Sequence, residues 1–145
     1  MNWKHEAIEN LKKYNAKNIS VHNLQDEIAE LTARKNGIRS ATGDATPVKG
    51  GGNGREDAMI NSMVRLERLQ TNLREVKRWV ARMERGLSSL NEEEMKLLTR
   101  FYITPEKGAA DRLATELSCD VKTVYHRKDR ALRKFTIAMY GCVES

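Results

Sequence analysis

Apolar residues fall at two distinct spacings along the chain. From the N-terminus, Ala7, Leu11 and Tyr14 lead into Val21, Leu24, Ile28 and Leu31, three and four apart, with polar residues between them. That spacing places them on one face of an amphipathic helix. Asn15, Asn18 and Ser20 are weak helix formers within this stretch. Either one helix runs from about residue 2 to 36, or two helices break near Asn18. The single helix is the favoured reading. Further on, Met59, Leu66, Leu73, Val80 and Leu87 stand seven apart, and Leu69, Val76, Met83 and Leu90 follow the last four of these by three residues. This is an a/d heptad pattern, interrupted at one d position by Ser62. It predicts a helix from Arg55 to about Gly86, roughly 45 Å long at about 1.5 Å per residue.

Between the two patterns, six of the nine glycines lie from Gly37 to Gly54, together with Pro47. The stretch has no apolar period and predicts a flexible loop over 37–54. A phosphate-cradling loop would need Gly followed by Lys and Ser or Thr at a helix start after a strand. Here Gly54 precedes Arg55-Glu56-Asp57, and no strand is predicted. Two helices of matched length joined by this loop predict an antiparallel, coiled-coil-like hairpin over 1–88. A single seam leaves apolar surface uncovered, so a homo-oligomer is expected, a dimer in the first instance.

The last third changes character. Asn91-Glu92-Glu93-Glu94 has the spacing of a capping box. Leu97, Leu98, Phe101 and Tyr102 give the helix after it an apolar face, and Ile103-Thr104-Pro105 ends it. A second helix is predicted from about Glu106 to Leu117. Ser118-Cys119-Asp120 makes a turn, and a third helix starts at Val121 with Asp120 as its cap and stops at Gly141. Three short helices with a tight turn before the last predict a helix-turn-helix. Counting from Ala110, Leu113 and Leu117 are apolar, and Ala114 is small where two helices must cross. Cys119 takes the semi-buried turn position and Val124 the core of the last helix. Ser118 stands where glycine is commonest, and Arg127 where Leu or Ile is usual. The expected fold is all-α: a hairpin over 1–88, then a helix-turn-helix domain over 89–145.

Charge is concentrated in the last helix. The 145 residues carry 26 Lys and Arg against 20 Asp and Glu, a net +6. Between Val121 and Lys134, six cations face one acid, which accounts for +5 of it. A basic helix after a tight turn fits phosphate neutralisation with counterion release. Aromatic residues are only 6% and charged residues 32%, so a thick enzyme core is not expected. The three histidines are far apart in sequence and have no partner at metal-ligand spacing. Nucleophile elbows, zinc signatures and dinucleotide-binding glycines are missing. No enzyme activity, metal or cofactor is expected. No apolar run approaches the roughly 20 residues that span a bilayer, so no membrane partner is expected. Two cysteines make no disulfide framework, so the expected compartment is cytoplasmic.

The segment Leu113-Ala-Thr-Glu-Leu-Ser-Cys-Asp-Val-Lys-Thr-Val-Tyr-His-Arg-Lys-Asp-Arg-Ala-Leu-Arg-Lys-Phe135 resembles region four of bacterial RNA polymerase sigma factors. Residues 90–102 are similar to the helix that precedes the motif there. With the long N-terminal hairpin, the chain resembles phage-encoded ArpU/RinA-type regulators of late genes. No counterpart of sigma region two is present, so the chain is not expected to act as a complete sigma factor. The resemblance implies a sequence-specific double-stranded DNA-binding regulator. Its last helix would enter the major groove with Val121, Lys122, Tyr125 and His126 reading bases. Arg112, Thr123, Arg127, Arg130 and Lys134 are the candidate phosphate contacts. Two alternatives stay open: a phage DNA-packaging small subunit, or a sigma-like module that binds RNA polymerase and not DNA.

Overall fold

The computed structural model describes residues 1–42 and 52–144. Helix α1 spans Trp3–Thr42 and α2 spans Gly52–Leu87. They are followed by α3 (Glu92–Leu98), a π-helical turn (Thr99–Ile103), α4 (Ala109–Glu116) and α5 (Val121–Tyr140). The chain is all-α: two long helices that pair antiparallel, then a small helical domain.

Helix α1 does not break at Asn18. Two asparagines of α1, Asn10 and Asn15, make tertiary contacts. Asn15 donates its side-chain amide to the Ile103 carbonyl at 3.1 Å and to Thr104 Oγ1 at 2.9 Å, and Asn10 donates to the Tyr140 hydroxyl. Both long helices also reach further than the periodicity indicates, so the expected loop over 37–54 is too long. Residues 37–42 and 52–54 are helical. A glycine costs about 1 kcal/mol in a helix, but extending a formed helix adds a hydrogen bond with each residue. The rest of that expected loop, 43–51, lies outside the described residues.

The chain divides into two compact units that do not separate at residue 88: Met1–Asn18 with Arg78–Ser145, and Ile19–Lys77. The cause of this departure from the expected 1–88 and 89–145 division is a shared core. Ala7 and Leu11 of α1, Met83 and Leu87 of α2, Leu98 of α3, Ile103, and Ala131, Leu132 and Phe135 of α5 form one buried cluster. The ends of both long helices therefore complete the core of the C-terminal domain. Fully burying one such large side chain stabilises by about 1.5–3 kcal/mol.

In the first unit, α2 ends against α5 at Gly86. A β-carbon there would stand 2.5 Å from Met139 Sδ and 3.0 Å from Phe135 Cε2. Gly86 thus permits a close helix approach; the helix itself continues to Leu87. The two ends of the chain also meet in this unit. The Trp3 amide donates to the Val143 carbonyl at 3.1 Å, and the Trp3 ring stacks on Tyr140 with centroids 4.9 Å apart.

In the second unit the pairing is thinner. Val21, Leu24, Ile28 and Leu31 of α1, and Leu66, Leu69, Leu73 and Val76 of α2, are all half-buried. None of the buried hydrophobic residues belongs to this unit, among the described residues. Arg65 and Glu27 pair across the helices at 3.1 Å. Met59, Ile60, Met63 and Val64 lie exposed at 42, 56, 46 and 42%. Among the described residues, no helix is long and apolar enough to cross a membrane.

Candidate nucleic-acid interface

The capping box forms as its spacing predicts. Asn91 Oδ1 accepts from the Glu94 amide at 2.8 Å, and Glu94 Oε1 accepts from the Asn91 amide at 3.0 Å. Helix α3 then splits its apolar residues between two cores. Leu98 enters the shared core, while Leu97 joins Ala109, Leu113 and Val124 in a second one, flanked by Phe101, Ala114, Leu117 and Cys119. The π-helical turn, closed by the Thr104 amide donating to the Thr99 carbonyl at 2.8 Å, lets Phe101 face the second core while Ile103 faces the first. Glu116 fixes this turn to α4: Lys96 donates to it at 2.6 Å and Arg100 at 2.7 Å. Those two cations, Lys96 first, hold its carboxyl below the usual range.

Helix α4 starts at Ala109, later than the expected Glu106. Gly108, at φ +75°, adopts a left-handed conformation that no helix continues through. At its other end Ser118 is left-handed (φ +53°), where glycine is the easier residue. The Cys119 amide donates to the Ala114 carbonyl at 3.0 Å. Asp120 then caps α5, accepting from the Thr123 amide at 2.7 Å. The Thr123 hydroxyl and amide hold the Asp120 carboxyl below its ordinary value. Leu113, Ala114, Leu117, Cys119 and Val124 all pack together as the helix-turn-helix spacing requires.

The cations of α5 separate into two groups. Lys122, Arg130 and Arg133 make no hydrogen bond or ion pair among the described residues, and all three are exposed. With His126 they lie at i, i+4, i+8 and i+11, which is one stripe along the exposed face of a helix. At about 1.5 Å per residue the stripe is roughly 16 Å long. Arg127, Lys128 and Lys134 have internal partners. Arg127 binds Glu93 at 2.6 Å and Lys134 binds Glu94 at 3.0 Å. Lys128 pairs with Asp129 at 3.0 Å and lies over the rings of Phe101, Tyr102 and Tyr125 at 5.4, 5.8 and 5.4 Å. Burial pulls the Lys128 ammonium down, but Asp129 and the Tyr102 hydroxyl more than offset it and leave it above its usual value.

The expected base readers Val121, Lys122, Tyr125 and His126 are all exposed at the start of α5. Val121 and Tyr125 lie to one side of the stripe and Lys122 and His126 on it. Of the expected phosphate contacts, Arg130 is on the stripe. Arg112 pairs with Glu106 at 3.7 Å, Thr123 serves the cap of α5, and Arg127 and Lys134 face carboxylates. Arg133 is the residue sequence reasoning missed. Its spacings of three, seven and eleven residues from Arg130, His126 and Lys122 were the available signal. Glu93 explains Arg127: the polar residue in an apolar motif position is neutralised by a neighbouring helix. Among the described residues, no three His, Cys, Asp or Glu side chains are grouped so as to hold a metal ion. No family model matches the sequence, and no curated protein or solved structure matches it either.

Proposed function

We propose that this chain is a sequence-specific double-stranded DNA-binding transcriptional regulator of the phage or prophage type, with α5 as its major-groove helix. The observation that carries this reading is the row of unpaired cations Lys122, Arg130 and Arg133, with His126 among them, on the exposed face of a helix held by a tight turn. Cations without internal partners release the most free energy when they meet phosphates, because no carboxylate must first be displaced. Beside the stripe, exposed Val121 and Tyr125 offer apolar surface for thymine methyl groups, and Lys122 can donate to guanine O6 and N7. The resemblance of residues 90–137 to sigma region four supports the same reading, and the reading is of a binding protein rather than an enzyme. One groove-bound helix reads few base pairs, so two copies on two half-sites are part of the proposal. The exposed Met59, Ile60, Met63 and Val64 on α2 support self-association through the Ile19–Lys77 unit.

Footprinting of the full chain on the DNA flanking its own gene tests this directly. A protected, salt-sensitive site of two half-sites is expected. Binding to RNA polymerase with no protected DNA would favour the sigma-like protein module instead. Rings of eight or more subunits on light scattering would favour a packaging subunit.

A further inference from the structure

Glu93 and Glu94 open α3, and both reach α5. Glu93 Oε1 takes Arg127 Nη1 at 2.6 Å; Glu94 Oε1 takes Lys134 Nζ at 3.0 Å. Arg127 and Lys134 are two helical turns apart on the edge of α5 that faces α3, beside the unpaired stripe. The neighbouring Glu92 has no ion pair or side-chain hydrogen bond among the described residues. A carboxylate offers Arg and Lys the same anionic oxygen acceptors as a phosphate. A duplex that recruits Arg127 and Lys134 must displace these oxygens and then lie against two uncovered negative charges. Contacts through Lys122, Arg130 and Arg133 carry no such cost.

We propose that Glu93 and Glu94 are specificity-determining residues that occupy Arg127 and Lys134 as internal phosphate stand-ins and so hold down affinity for non-cognate duplex DNA. The inference rests on α5 being the duplex-binding helix. Non-specific binding consists of phosphate contacts alone, whereas cognate binding adds base readout. Masking two phosphate-seeking cations therefore weakens the first in larger proportion than the second, and the ratio between them rises.

The test uses the full chain with the double substitution Glu93→Gln/Glu94→Gln on a random-sequence duplex across a salt series. Glutamine keeps an oxygen for the Asn91 amide, so the cap of α3 survives. The dissociation constant is expected to fall about two- to thirtyfold, the range two exposed ion pairs set. The slope of log Kobs against log salt should steepen by up to about 1.8, since each added phosphate contact contributes about 0.9. Each single substitution should give about half the change in slope, which keeps the test available if the double variant unfolds. Glu92→Gln alters net charge equally to either single substitution and should leave the slope as it is. If Glu92→Gln matches the single substitutions, the effect is one of net charge and the inference fails. It also fails if the double variant binds with unchanged or weaker slope while Arg130→Ala weakens the wild type; the DNA-binding reading then stands. If neither wild type nor double variant binds duplex in a salt-dependent way, both are overturned.

Discussion

Asn15 in the first long helix donates its side-chain amide to the carbonyl of Ile103, 88 residues further along the chain, at 3.1 Å. The bond closes the end of the π-helical turn on which Phe101 and the second core depend. It marks a wider dependence, because Leu11 one turn earlier is completely buried in the same core as Phe135 of α5. Leu11→Ala should therefore destabilise the helix-turn-helix by about 2–5 kcal/mol, and Asn15→Ala by about 1 kcal/mol. Chemical unfolding followed by helix signal measures both. A fragment 89–145 that folds with the stability of the whole chain would contradict this dependence.

Gly86 should tolerate no side chain. Gly86→Ala drives a methyl group into Met139 and Phe135 and is expected to cost about 1–3 kcal/mol. Combining it with Met139→Ala should cost less than the two single losses added, since one change removes the atom the other strikes. Additive thermal unfolding data would mean the helices separate to admit the methyl group.

Acid should loosen the α3–α4–α5 region first. The carboxyls of Glu94, Glu116 and Asp120 are all held below their ordinary values of 4.5, 4.5 and 3.8. Glu94 is lowered first by the Asn91 amide, Glu116 by Lys96 and Asp120 by the Thr123 hydroxyl. A depressed folded value means stability that is present above the unfolded value and lost as pH falls through the folded one. The melting temperature should hold near neutrality and decline from about pH 4.5 downward. Glu116→Gln should flatten part of that decline, and an identical acid profile in the variant would mean that Glu116 contributes nothing to it.

The Ile19–Lys77 unit should associate with a second copy. Ile60→Asp with Met63→Asp puts charge on exposed α2 positions without touching the core of the other unit, so it should shift the chain toward monomer while its melting is retained. Sedimentation of wild type and variant at micromolar concentration reads this. A wild type already monomeric would overturn it.

The helices, the capping box and the Asp120 cap were legible because each depends on residues within four positions of one another. Asn91 and Glu94, or Asp120 and Thr123, meet whatever the rest of the chain does. The domain division was not legible, because the heptad of α2 has the same spacing whether Met83 and Leu87 pack on a paired helix alone or also join the core of α5. Gly86 read as a stop because close approach to Phe135 leaves no local trace. The same limit applies to the interface. Lys122, Tyr125 and His126 were placed by motif position and are exposed. Arg127 and Lys134 carried the right charge, but their pairing with Glu93 and Glu94 joins residues 34 and 40 positions apart. Composition counts such cations as available; only tertiary contact divides them.

On the proposed reading, Lys122, Arg130 and Arg133 of α5 bind duplex phosphates. The salt dependence of duplex binding, measured for the full chain and for the double variant Arg130→Ala/Arg133→Ala, tests this. Removing two phosphate contacts should flatten the slope of log Kobs against log salt by about 2. A slope that does not change when both arginines are gone would mean that α5 does not bind duplex phosphates through them.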